Sequence, residues 1–386
     1  MEDDLLRTGK VILLAIVLLS LSIGLLAVSC DAEERIPVSK QITVTDMAGR
    51  RVSLTVPVKK VVLGYAKEFP SFAAVAGEDF PGKLAGWGLS RTVRNQDPYL
   101  KFKVKYPGLE SIPDVGSHAQ GTFSVEKVIS LKPDMVIFPL WMLLNKYEGV
   151  AEDVARMEKV GIKTVFLDYW ENPLENTMPS TLLLGTLLGK EKRAQEIVAL
   201  YQKRINTVVR RLQKIKKPKP RVYVENGAQG PSENGWTCGN YAWGVMVVKA
   251  GGINIAEGII KRWGPLAPEY LLKTNPDVII IAEPKHPRSK RTDYQADSEG
   301  SRQLLKAFTG RLGWNTIGAV KSGRVYGVFD SYLIYNIYNF AVIETIAKWL
   351  YPYEFKDINP DADLREFYKK FLQMDYSYVG MVGIQD

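Results

Sequence analysis

Across residues 41–56 apolar and polar positions alternate on both sides of Ala48 and Gly49. That period of two belongs to half-buried strands, and the small residues between them mark a turn, so the segment predicts a β-hairpin. Beyond it, short unbroken apolar runs at 61–63, 84–86, 135–137 and 164–167 alternate with stretches of helical character. Runs without a polar face predict strands covered on both sides, as in a parallel sheet flanked by helices. A second series at 222–224, 278–281 and 325–328 repeats the pattern, and helical stretches at 336–350 and 364–372 close the chain.

Between the two series, residues 182–216 hold no proline, and no glycine after Gly189. Ala194, Ile197, Val198, Tyr201, Ile205 and Val208 recur mainly at steps of three and four, which places them on one helical face. One rigid helix is therefore predicted to join the halves, ended by Pro218 and Pro220. The predicted fold class is α/β: two Rossmann-like lobes with mainly parallel sheets, at 41–181 and 218–386, joined by a helix over 182–217.

The halves also share a motif. Ser124 and Glu126 precede Pro133-Asp134 and a strand, just as Ala267 and Glu269 precede Pro276-Asp277 and a strand. In each copy a short amphipathic helix ends at a Pro-Asp turn. Two copies in register, one per half, point to duplication.

The amino terminus sets the compartment. Residues 11–28 are apolar behind Arg7 and Lys10, and Ser29-Cys30 follows, the layout of a secretory signal over 1–29. Ala27-Val28-Ser29-Cys30 resembles a lipobox, which makes Cys30 the lipidation site and 30–40 a tether. An uncleaved anchor helix is the alternative, and both leave the remainder outside the cytoplasm. With Cys30 committed, Cys238 is the other of the chain's 2 cysteines, which excludes an intrachain disulfide. The net charge of +9 favours anionic partners, either a small acidic solute or an anionic membrane surface. Nucleic acid is not expected for an exported chain whose basic residues are dispersed.

Several pieces, in their order, resemble the periplasmic-binding-protein family that serves importers of iron-siderophores, haem and cobalamin. They are residues 45–52 (TDMAGRRV), 112–116 (IPDVG), both Glu-to-Pro-Asp units, Gly185 with Gly189, and 250–254 (AGGIN). Residues 350–355 (LYPYEF) and 367–371 (FYKKF) further resemble a branch that includes molybdate and tungstate binders. The resemblance implies two lobes around a solute cleft with little hinge closure, acting as a monomer with an ABC permease dimer and its ATPase. It also gives Glu126 and Glu269 a role at the lobe tips, docking arginines of the permease; helix-start carboxylates favoured by the helix dipole are the structural alternative.

In α/β lobes ligands meet the loops beyond the carboxyl ends of strands. That rule nominates Tyr65, Lys67, His118, Trp141, Tyr169 and Trp170 in the first half, and Trp236, Tyr241, Trp243, Arg262, Trp263, Lys285 and Tyr332 in the second. Flat apolar rings with polar edges suit a bulky metal chelate or macrocycle, and Lys67, Arg262 and Lys285 are placed to neutralise an anionic one. No metal site or cofactor of the protein itself is expected: only 2 histidines are present, and Cys238 has no neighbouring cysteine or histidine. The solute itself is expected to carry iron, cobalt or another metal. Nucleophile-elbow, P-loop, zinc-protease and dinucleotide motifs are absent from the sequence, so an enzyme is not expected. A surface or sensor lipoprotein borrowing the fold without transport is the other class compatible with these residues.

Overall fold

The computed structural model describes residues 39–89, 97–145, 149–284, 298–330, 332–376 and 380–385. Cys30 and its lipobox, and Lys285, lie outside the described residues. Lys40–Asp386 forms one compact unit.

The hairpin pairs β1 (Lys40–Thr45) with β2 (Arg51–Val56) in antiparallel register, Lys40 opposite Val56. Its turn is held by Asp46, whose carboxylate accepts from the N–H groups of Ala48 at 3.0 Å and Arg50 at 2.9 Å, with Gly49 at φ +76°. The first sheet has order β4-β3-β5-β6, all parallel: β3 (Val61–Leu63), β4 (Leu84–Trp87), β5 (Met135–Pro139) and β6 (Lys163–Leu167). The second contains β7 (Arg221–Asn226), β9 (Ile253–Asn254), β11 (Val278–Ala282), β12 (Val325–Val328) and β13 (Met381–Gly383) in order β13-β12-β11-β7-β9. Only β13 runs antiparallel there. A separate antiparallel pair, β8 (Trp236–Cys238) with β10 (Trp263–Pro265), forms where the sequence predicts loops.

The duplicated motif has the same geometry twice. Helices Val125–Leu131 and Pro268–Thr274 each stop at a left-handed residue, Lys132 and Asn275, both at φ 48°. Proline follows, and then an aspartate that stitches the new strand to its neighbour. The Asp134 N–H donates to Lys60 O at 2.9 Å, and its carboxylate accepts from the N–H groups of Lys59 at 2.7 Å and Lys60 at 2.8 Å. Likewise the Asp277 N–H donates to Arg221 O at 2.8 Å while its carboxylate accepts from the Arg221 N–H at 2.8 Å. Each aspartate thus satisfies backbone donors at the edge of a ladder, where a charged acceptor makes the stronger bond.

The predicted single connecting helix is two helices, Pro173–Leu188 and Glu191–Leu212. Gly189 breaks it: it adopts φ +65°, and its N–H caps the carbonyls of Gly185 and Thr186. A left-handed glycine after the last helical residue is a terminator. Gly185 then lets the pair approach closely, since a Cβ there would stand 2.4 Å from Ala194 Cβ. The second helix keeps the face read from sequence, with Ala194, Ile197, Tyr201, Ile205 and Val208 buried.

One hydrophobic core runs through both sheets and the helices Phe69–Ala76, Pro173–Leu188, Glu191–Leu212 and Phe340–Leu350. Buried hydrogen bonds reinforce it. Asn336 accepts through Oδ1 from the Ser71 N–H at 3.0 Å and hydroxyl at 2.8 Å, and donates through Nδ2 to Lys67 O at 3.1 Å and Tyr332 O at 2.9 Å. Arg193 donates to Ala74 O at 2.6 Å and Phe371 O at 2.7 Å. Opening the two sheets apart therefore means breaking buried polar contacts as well as the core, which opposes a wide hinge.

The same helical layer buries Glu344 at 1% exposure. Burial, with the neighbouring Asp363 adding to it, pushes the Glu344 carboxyl up to about 8. The folded chain thus holds this proton more tightly than the unfolded chain, whose carboxyl titrates near ~4.3. The contribution to stability is fully present below that value and is lost as pH rises to about 8, by at most ~1.4 kcal/mol per pH unit. Glu344→Gln is expected to flatten the fall in melting temperature between acidic and alkaline buffer; an unchanged slope would assign that fall to other groups.

Candidate functional site

The loops after the strand ends of the two sheets meet in a cluster of aromatic rings. After β3, the chain turns at Tyr65 into the short helix Ala66–Glu68. After β5 come Trp141 and Asn145, and after β6 come Trp170 and Glu171. The facing elements supply Tyr241 and Trp263 from around the β8–β10 pair, Glu283 after β11, and Tyr335 beyond β12.

Trp170 is the centre of the cluster. Its ring lies 4.1 Å from that of Tyr335 at an interplanar angle of 2°, and 6.5 Å from that of Trp263 at 13°. Its indole N–H donates to the Tyr241 hydroxyl, and Tyr241 in turn meets Trp263 edge-on at 6.1 Å. Tyr65 meets Trp141 edge-on at 5.2 Å and Tyr335 at 6.4 Å. Offset and edge-to-face contacts of this kind stabilise aromatic clusters beyond simple burial. Burial pushes the Tyr241 phenol up to about 12, with Glu171 adding to the effect, so it stays a neutral donor and acceptor.

Both described cations of the cluster carry a carboxylate partner from the opposite sheet. Arg262 donates through Nη2 to Glu171 Oε2 at 2.8 Å and through Nη1 to Oε1, a bidentate fork, and Nη2 also reaches Asn145 Oδ1 at 3.0 Å. Its guanidinium sits 4.4 Å from the centre of the Tyr241 ring. Lys67 Nζ lies 3.7 Å from Glu283 Oε2 and 4.0 Å from the centre of the Tyr335 ring. The sequence reading, which gave both cations to an anionic solute, did not anticipate these internal partners. Below them, burial holds the Glu68 carboxyl well above the usual range, with Asp168 contributing.

The structure thus brings together Tyr65, Lys67, Trp141, Trp170, Tyr241, Arg262 and Trp263 of the nominated residues. Trp236 stands on the outer strand β8 at 52% exposure. Trp243 and Tyr332 are fully buried and Tyr169 nearly so; burial raises the Tyr169 and Tyr332 phenols. His118 is buried too, its ring stacked 4.1 Å from Phe123 and its Nε2 bonded to Asp153 Oδ2 at 3.1 Å. Burial lowers its pKa, with Asp153 opposing. Cys238 is buried and its thiol pushed up to about 12 by burial. Among the described residues no group of three or more His, Cys, Asp and Glu is arranged to hold a metal ion.

Sequence reasoning missed Asn145, Glu171, Glu283 and Tyr335. Glu283 directly follows β11 and Glu171 lies in the loop after β6, so both obey the same strand-end rule, but they are neither aromatic nor basic. Glu126 and Glu269 both occupy the exposed first turns of the repeat helices. Glu126 accepts from Arg156 Nη2 at 2.5 Å.

The fold has relatives among known proteins. The periplasmic binding protein family matches residues 74–332. The TroA-like periplasmic binding protein FepB of Veillonella parvula superposes with a TM-score of 0.78 at 37% identity, over 89% of this chain and 99% of that one. An ABC transporter substrate-binding lipoprotein of Bacillus subtilis, YvrC, is 24% identical over 82% of this chain and 87% of its own length. The molybdate-binding protein MolA of Haemophilus influenzae is 22% identical over 95% of this chain and 97% of its own. The structure of MolA bound to molybdate shares the fold, with a TM-score of 0.66 over 87% of this chain and 99% of that one. A match over most of the chain and a superposition at this identity have one reading: the chain belongs to the periplasmic binding protein family, as a substrate-binding protein of the ABC-transporter type.

Proposed function

We propose that this protein is held outside the cytoplasm by a lipid on Cys30 and delivers a metal chelate of the iron-siderophore type to an ABC permease dimer and its ATPase. The lobes are those at 41–181 and 218–386, and the solute cleft is the aromatic cluster between them. The observation that carries the reading is the composition of that cluster: Tyr65, Trp141, Trp170, Tyr241, Trp263 and Tyr335 form a contiguous set of flat apolar rings beside two cations that are already paired. Aromatic rings in such number match a large organic chelate, or a corrinoid or haem, whereas a tetraoxyanion needs a tight ring of hydrogen-bond donors. The similarity to MolA favours molybdate or tungstate as the second reading.

Native mass spectrometry with metal analysis on protein purified from its own host separates these readings. A bound chelate supports the first, and a tetraoxyanion alone rejects it. Trp263→Ala is expected to weaken chelate binding by about 2 kcal/mol, roughly 30-fold, read by fluorescence titration. The lipoprotein names of YvrC and of YhfQ, also of Bacillus subtilis, support the anchor. Radiolabelled palmitate should enter the wild type and be lost in Cys30→Ala.

A further inference from the structure

The Arg262–Glu171 contact has the form of a bound ligand rather than of a surface ion pair. Both guanidinium arms engage both carboxylate oxygens, Asn145 accepts from one arm, and the Tyr241 ring backs the plane. The Glu171 side chain is 6% exposed and the Arg262 side chain 34% exposed, so the pair is largely withdrawn from solvent. The carboxylate comes from the loop after β6, fixed by the Glu171 N–H donating to Asp168 Oδ1 at 2.6 Å, while Arg262 belongs to the segment entering β10. Lys67 and Glu283, by contrast, meet at a single 3.7 Å contact. A planar fork backed by an aromatic face is the geometry by which arginine recognises carboxylates and other paired oxyanions.

We propose that Glu171 is an internal occupant of an anion subsite on Arg262, and that an anionic solute binds by displacing it. This deepens the cleft reading above and rests on it. Two consequences follow for selectivity. A solute must present two oxygens in the span of a carboxylate to replace both bonds. It must also carry negative charge, since a neutral group that displaced Glu171 would leave a half-buried cation and a buried carboxylate unpaired. Glu171 is then a specificity-determining residue that filters against neutral chelates and lowers the affinity of anionic ones.

Glu171→Gln keeps the shape and removes the competing charge. The probes are the trianionic ferric tris(catecholate), molybdate and the neutral ferric tris(acetohydroxamate), each titrated by tryptophan fluorescence against wild type, Glu171→Gln and Trp263→Ala. Glu171→Gln is expected to bind at least one of the two anionic probes at least about tenfold more tightly than wild type, with no such gain for the neutral one. Arg262→Gln in the same background should erase the gain. No gain with either anionic probe, or an equal gain with the neutral probe, overturns the proposal. Loss of binding in Trp263→Ala while Glu171→Gln matches wild type leaves the cleft reading standing and removes the proposal alone; binding insensitive to every variant removes the cleft reading itself. Melting temperatures of all variants separate these outcomes from misfolding.

Discussion

A chain carrying Glu126→Arg and Glu269→Arg is expected to bind its solute with unchanged affinity and to lose uptake, by at least about 100-fold in whole-cell transport. Both carboxylates are exposed on the first turns of the repeat helices, one on each side of the molecule's internal duplication. Neither is among the rings and ions of the aromatic cluster. Glu126 pairs with Arg156, and with side chains 72% and 52% exposed that pair contributes little to the fold. The aspartates Asp134 and Asp277, which hold the strands, stay in place in the variant. Where a permease presents arginines to these two positions, as the docking role requires, reversing the charge sets like against like, at a cost of several kcal/mol. Lost affinity for the solute would reject a docking role, and unchanged uptake would assign these carboxylates to the helix starts alone.

The largest expected loss of stability belongs to Arg311→Met. Arg311 and Glu225 form an ion pair at 2.7 Å with side chains 7% and 0% exposed. Arg311 also donates to Pro231 O at 2.9 Å, to Gly230 O at 3.0 Å and to Glu233 O. Glu225 accepts in addition from the Gly235 N–H at 2.9 Å and the Tyr223 hydroxyl at 3.0 Å. One guanidinium thus staples the loop between β7 and β8 to the second sheet. Without it a carboxylate remains buried with no cation, and unfolding in urea should show a loss of about 3–5 kcal/mol. Adding Glu225→Gln should restore much of that loss, because the uncompensated charge rather than the missing contact dominates. A loss below about 1 kcal/mol would mean that the pair is dispensable.

The strands of the first sheet and β7, β11 and β12 of the second were legible because each is a short run with an unmistakable apolar content, whereas β9 and β13, 2 and 3 residues long, were not; the duplicated Glu-to-Pro-Asp units were legible because each encodes one local device. Gly189 was legible as a residue but not as a break. A glycine within a helical pattern costs only about 1 kcal/mol, so its neighbours decide whether the helix continues. Here the close fit of Gly185 against Ala194 made two packed helices the better solution. The β8–β10 pair escaped notice since its strands, Trp-Thr-Cys and Trp-Gly-Pro, carry neither an unbroken apolar run nor a clear alternation.

The candidate site divides along the same line. Trp243 and Trp263 are each followed by glycine in a predicted loop, yet one is fully buried in a helix and the other lines the aromatic cluster. Lys67 and Arg262 read as free cations for a solute, and the structure gives each a carboxylate across the junction. By itself the sequence determined the fold class, the duplication and the loops that bear the site, since periodicity and turn chemistry act over a few residues. Tertiary structure alone decided which rings face the site and which charges meet, since those contacts depend on how two separate sheets are set against each other.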